Sequence, residues 1–168
     1  MGWRRNTHVF AGSLLGLGVT GAVALATHQP WLFPSLGPTV MLHMEKATAP
    51  EASPRDTLLG HLVALVVGYG MLAVCGLRHA PSALAEGVTG PRIAAAAGAV
   101  AVTAVVLLAL RVSHAPAGAT TLIVALGLLR TPTQLVIMGG AVLLLTAVDL
   151  LVNRAAGVRM PLWSDGRD

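Results

Sequence analysis

The sequence predicts an all-α integral membrane protein: four transmembrane helices plus two short re-entrant or broken half-helices, laid out as two internal repeats. Three observations predict it. Of the 168 residues, 55% are apolar and 11% charged, with a mean hydropathy of +0.75, whereas a soluble domain carries about 25% charged residues. The apolar residues gather in four blocks of roughly 20, the length that crosses about 30 Å of hydrocarbon. Finally, Gly37-Pro38-Thr39 is echoed by Gly118-Ala119-Thr120, each just after a proline, Pro34 and Pro116.

The first block covers 8–27. Arg4 and Arg5 precede it, and Ala24-Leu25-Ala26 resembles a cleavage site. The apolar core of a signal peptide is about 7–15 residues long. This block is longer and three more follow, so it is expected to stay as a helix. The second block, 54–76, opens on Ser53-Pro54-Arg55-Asp56, and the fourth, 132–152, on Thr131-Pro132-Thr133-Gln134. Both tetrads read as helix starts, with a hydroxyl cap, proline at the first helical position, and Asp or Gln closing a capping box. The third block covers 91–110. The loop 77–90 is short, and 153–168 is expected to be a short polar cytoplasmic tail. The whole chain, 1–168, reads as a single membrane domain, with repeat 1 over 8–76 and repeat 2 over 91–152.

Two short apolar segments, 33–44 and 115–129, lie between the blocks. The first is too short to span as a helix and contains two prolines. Irregular backbone at membrane depth survives only where protein buries it or where it lines a water-filled cavity. If both segments re-enter, the chain crosses four times and the copies run parallel. If both cross fully, there are six crossings and the copies are inverted. Shortness favours re-entry. With four crossings, Arg4, Arg5, Arg78, Arg92, Arg154, Arg159 and Arg167 share one side, against Lys46, Arg55, Arg111 and Arg130 on the other. The excess points to cytoplasmic termini in a cell inner (plasma) membrane.

A half-helix that ends inside the membrane aims amides and about half a positive charge at its N-terminus, which suits an anion. Glycine lets a ligand approach the backbone, and a hydroxyl adds a donor. Ser35, Gly37 and Thr39 on the first segment, and Gly118, Thr120 and Thr121 on the second, are therefore the candidate substrate-binding residues. His114, which opens the second segment, and His61, two turns into the second block, join them, because imidazole can take or give a proton near neutral pH. His8, His28 and His79 read as interfacial, and His43 ends the first segment. Six of the seven acidic residues fall in loops, tails or a helix start. Asp149 alone falls within a block, and it reads as part of an interfacial ion pair with Asn153 and Arg154 one turn away. Scarce intramembrane carboxylates argue against a metal or sodium carrier. No metal-ligand spacing, serine–histidine pair or paired carboxylate is present, so no cofactor, no metal and no enzyme activity is expected. Cys75 lies alone in an apolar block. The net charge of +4 sits between blocks as a topology marker and is no nucleic-acid signal. Small-residue stripes at Gly12 and Gly16, at Gly60, Ala64 and Gly68, and at 94–98 provide close helix packing. A four-span chain has little room to enclose a pathway, so a homo-oligomer in the lipid bilayer is expected.

The segment His114-Ala115-Pro116-Ala117-Gly118-Ala119-Thr120 resembles the His-Pro-Pro-x-Gly-Ala signature of the HPP family. The stretch 34–60, with Gly37-Pro38-Thr39 and then Ser53-Pro54-Arg55 leading to Gly60, is similar to that family's other motif block. The likeness covers roughly 33–154. It implies a four-span integral membrane protein and, through plant and cyanobacterial relatives associated with nitrite, an anion transporter. The first proline of the signature is Ala115 here. The carboxy-terminal regulatory domain pair of some relatives is absent, so nucleotide regulation within the chain is not expected. The expected function is a membrane transporter or channel for a small inorganic anion, most of all nitrite. The alternative is a non-transporting membrane subunit that acts by helix–helix assembly with a partner.

Overall fold

The computed structural model describes residues 2–163. Among them are seven α-helices, one 3₁₀ turn and no strand. They are α1 (Gly2–Thr27), α2 (Leu36–Glu45), the turn Pro50–Ala52, α3 (Pro54–Val74), α4 (Ala83–Glu86), α5 (Gly90–Ala109), α6 (Pro116–Ala125) and α7 (Pro132–Ala155). α1, α3, α5 and α7 are each long and apolar enough to cross a membrane. Their outer faces carry large exposed apolar side chains, among them Phe10, Leu25, Leu62, Val66, Val105, Leu108, Leu143 and Leu151. In water such surfaces would associate, whereas acyl chains solvate them at no cost.

The helix starts behave as the capping residues require. The Asp56 amide donates to Ser53 Oγ at 3.2 Å. At α7 the box is reciprocal: the Gln134 amide donates to Thr131 Oγ1 at 3.3 Å, and the Thr131 amide to Gln134 Oε1 at 3.1 Å. Thr89 caps α5 in the same way by accepting from the Arg92 amide. The loop 77–90 holds one helical turn, α4, that its Pro/Gly/Ser content concealed. α7 runs to Ala155, so Asn153 belongs to a helix and is buried, where a polar tail was expected. Residues 164–168 of that tail, with Asp165, Arg167 and Asp168, lie outside the described residues.

The chain divides into two compact units. The first holds residues up to Leu58 and from Ile137 onward, and the second holds Leu59–Val136. In the first, the buried stripe of α1 is Gly12, Gly16 and Thr20. α2 is seated on this stripe. A Cβ at Gly12 would meet the Met44 side chain, and one at Gly16 would meet Val40 and Leu145. In the second, Gly60 faces His114 and Ala117, and Gly68 faces Val124 and Thr121, so α6 lies along the glycines of α3. α5 closes the other side through Ala95, Ala99 and Thr103. The stripes expected to serve generic packing thus hold the two short helices.

Neither short segment turns back to the end of the helix it left, which is a departure from the favoured re-entrant reading. Leu32 lies near Gly21, toward the C-terminal end of α1. Met44 lies at Gly12, and Glu45, Ala47 and Thr48 share a cavity with Arg4, Arg5 and His8 at the N-terminal end. The second segment does the same. Val112 packs with Leu107 near the end of α5. Arg92 Nη1, at the start of α5, donates to Ala125 O at the end of α6, and in the loop ahead of α5 the Ala83 amide donates to Leu126 O at 2.9 Å and Ala80 O accepts from Arg130 Nη1. The physical reason is the extended stretch ahead of each helix. A ten-residue helix covers only about 15 Å, and the non-helical residues before it supply the remaining length. Gly127, at φ +78°, ends α6 in the left-handed conformation, with Leu128 N returning to Ile123 O.

Candidate functional site

Three of the candidate residues come together in the second unit. His61 Nδ1 meets Thr120 Oγ1 at 2.7 Å, and His61 Nε2 meets His114 Nε2 at 3.2 Å. The two rings stand edge to face, 5.0 Å apart. All three side chains are buried. Two Nε2 atoms at hydrogen-bond distance require one to donate and the other to accept. A proton added to the pair turns the acceptor into a second donor and gives the cluster one positive charge. Three sequence choices build this site. Gly60 leaves room for His114, whose Cβ would lie 2.9 Å from a Cβ at 60. Pro116 fixes the entry to α6 one residue past His114-Ala115. Thr120 stands one helical turn further on.

Thr121 is buried beside the cluster, but its hydroxyl donates to Ala117 O at 3.0 Å while facing Thr103 Oγ1 at 3.1 Å. Gly118 has open space around its Cα and borders a cavity of about 340 Å³ with Thr103, Leu107, Val112 and His114. The first amides of α6 are engaged by the turn that leads into it. Ala117 N donates to His114 O and Gly118 N to Ala115 O, and Pro116 has no N–H. The expectation of bare half-helix amides is corrected here: Ala115 is already helical, so the turn carbonyls take those donors.

Ser35, Gly37 and Thr39 belong to the first unit. Ser35 and Thr39 are fully buried, and Thr39 Oγ1 donates to Ser35 O at 2.8 Å. The Leu36 amide likewise donates to Phe33 O. Gly37, like Gly118, has open space at its Cα.

The first unit holds a second cluster that sequence reading missed. His43 Nδ1 meets Asp149 Oδ2 at 2.8 Å, and His43 Nε2 meets Thr57 Oγ1 at 2.9 Å. His43, Thr57 and Asp149 are each 0% exposed. Asn153 Nδ2 donates to His43 O and to Asp149 O, and its Oδ1 pairs with His8 Nε2 at 3.0 Å. The expected interfacial pairing of Asp149 is therefore corrected: the carboxylate is buried on a histidine 106 positions away. Such separation leaves no local spacing to read. The one available signal was Asp149 itself, an acid inside an apolar block.

Charge is unevenly placed in the second unit. Residues 59–136 contain four arginines, Arg78, Arg92, Arg111 and Arg130, against one acid, the exposed Glu86. Arg92 is buried yet has no carboxylate partner among the described residues, and its guanidinium donates to Ala125 O and Pro81 O. Arg78, His79 and Arg130 line a cavity of about 460 Å³ with Tyr69, Ser82 and Gln134. His28 and His79 are exposed, and His8 is half-buried on Asn153. Among the described residues no group of three or more His, Cys, Asp or Glu is placed to hold a metal ion.

Four spanning helices, short apolar helices seated on glycine stripes and buried polar clusters define a polytopic α-helical membrane protein. The pattern of the family described as HPP, transmembrane region, matches residues 1–161, so the chain belongs to that family. No curated protein and no solved structure matches the chain.

Proposed function

We propose that this protein transports a small inorganic anion, with nitrite the leading candidate, and that His61, His114 and Thr120 form the polar contact on its path. One observation carries the reading: a buried imidazole pair lies in a unit with four arginines and a single exposed acid. A cluster able to become cationic inside an apolar helix bundle is stabilised by an anion and repels a cation. The open Cα of Gly118 beside His114 lets a ligand of a few atoms reach the ring. The family is a membrane family, and its association with nitrite in some relatives supplies the candidate.

The path of the short segments supports six crossings, with both termini cytoplasmic. Arg4, Arg5, Lys46, Arg55, Arg111, Arg154, Arg159 and Arg167 then share the cytoplasmic side, against Arg78, Arg92 and Arg130. Eight against three is a stronger bias than the seven against four of the four-crossing reading. Three crossings per copy make the copies inverted, an arrangement common in transporters. The buried stripes support the repeat, since Gly12-Gly16-Thr20 of α1 and Ala95-Ala99-Thr103 of α5 share spacing and character. Assembly as a homo-oligomer remains part of this reading.

Flux into proteoliposomes of purified protein tests it, with nitrite, nitrate, formate and chloride compared at two pH values. Saturable nitrite uptake that His114→Ala abolishes is the expected result. No flux of any anion from folded, inserted protein sinks the reading and favours a subunit that acts by assembly.

A further inference from the structure

We propose that His43 and Asp149 form a proton-binding site, the acid–base pair with which this protein exchanges a proton with the cytoplasmic solution as it moves its anion. The inference rests on the transport reading, but its residues lie apart from the His61–His114 cluster in the sequence and in the division into units.

Burying this acid and base is costly. A carboxylate on an apolar helix is expensive to bury, and an apolar pair of similar volume would hold α2 against α7 at least as well. A site meant only to pack the two helices has no need of an acid and a base. Among the described residues the acid is also incompletely paired. Asp149 Oδ2 takes the bond from His43, but Asp149 Oδ1 is buried and has no hydrogen-bond partner among the described residues. It rests against the backbone of α1 at Gly16. Buried carboxylates held for structure have their oxygens satisfied, because a bare one carries the full cost of lost hydration. Asp149 Oδ1 can take a proton without breaking a hydrogen bond among the described residues.

The proton balance is simple. With one proton on the imidazole, His43 Nδ1–H donates to Asp149 Oδ2, and His43 Nε2 accepts from the Thr57 hydroxyl. An arriving proton enters at Asp149 Oδ1, or at His43 Nε2 if the Thr57 hydroxyl rotates to accept. Each route raises the charge of the pair by one and breaks no other bond. The proton leaves from the same atoms.

Hydrogen bonds link the pair to a cavity lined by charged groups. Asn153 joins the pair to His8 through His43 O, and His8 lines a cavity of about 640 Å³ with Arg4, Arg5, Met44 and Glu45. Among the described residues, His43 is the one ion-pair partner of Asp149. Around them, α1 offers His8, α2 offers the exposed Glu45 beside Lys46, and α7 offers Asn153 and the exposed Arg154. α3 offers Thr57 and Asp56, the latter bonded to Arg55 at 2.9 Å.

Two measurements test the proposal. In proteoliposomes, Asp149→Asn should lose nitrite accumulation driven by a pH gradient, while nitrite–nitrite exchange across the membrane continues. Accumulation that persists overturns the proposal. So does loss of both activities in protein that melts like wild type, since the pair is then structural. The second measurement needs no transport. Infrared difference spectra of the wild-type protein between two pH values, with ¹³C-carboxyl aspartate as a label, should show an aspartic-acid band that Asp149→Asn removes and that Asp56→Asn, Asp165→Asn and Asp168→Asn leave in place. A spectrum without such a band defeats the proton site even if nitrite moves. A titrating band in protein that moves no anion leaves the proton site standing and removes the anion reading.

Discussion

Asp149 Oδ1 lies against the Cα of Gly16, so close that a Cβ at that position would collide with it. α1 therefore needs glycine there to admit the acid. Gly16→Ala must displace Asp149, Leu145 or the helix, and overpacking of this kind costs about 1–3 kcal/mol. Gly18, on the exposed face of α1 with nothing within 4 Å, is the control. Gly18→Ala should change stability by no more than about 1 kcal/mol, in the stabilising direction, since alanine is the better helix former. Thermal unfolding in detergent compares the two, and equal melting temperatures would contradict the packing described.

The His61–Thr120 bond permits a conservative test. Thr120→Val keeps the side-chain volume and removes the hydroxyl 2.7 Å from His61 Nδ1. Loss of one buried hydrogen bond costs about 1–3 kcal/mol. If the hydroxyl orients His61 for the anion, nitrite uptake at subsaturating concentration should fall by roughly 5- to 100-fold. Thr120→Ser, which keeps the hydroxyl, should restore most of it. A valine variant with wild-type uptake would remove Thr120 from the site.

The four long helices were legible because their signal is local: twenty apolar residues and a capping tetrad are read without knowing what lies opposite. His61, His114 and Thr120 were legible as single residues because a motif marks two of them, but their meeting depends on α6 lying along Gly60 and Gly68. His43 and Asp149 were illegible as a pair. They sit on α2 and α7, and only the return of α2 to the N-terminal end of α1 brings them together. Re-entry was favoured because helix length alone was weighed. The non-helical residues before Leu36 and Pro116 add to the distance that each short helix covers.

The cavity around Arg78, His79 and Arg130 should concentrate anions. Arg78 is exposed, donates to Tyr69 Oη at 2.8 Å and stacks over that ring. Arg78→Gln removes one charge there without touching a buried cluster. It should raise the half-saturation concentration for nitrite about two- to fivefold at low salt, with the difference shrinking as the screening length falls toward about 8 Å at physiological ionic strength. Uptake curves at two ionic strengths check this, and a salt-independent defect would argue for a structural role.

The crossing number is decided by labelling. Cys75 is the sole cysteine, so Cys75→Ala provides a background in which one introduced thiol reports its own side. Thr48 and His79 are both exposed, the first between α2 and α3 and the second between α3 and α5. With six crossings, Thr48→Cys shares the side of the termini and His79→Cys lies opposite. With two re-entrant segments the assignments swap. A membrane-impermeant maleimide applied to intact cells should therefore label His79→Cys and spare Thr48→Cys until the cells are opened. The reverse pattern would restore the four-crossing topology. It would also separate Arg4, Arg5 and His8 from Thr48, with which they line one cavity.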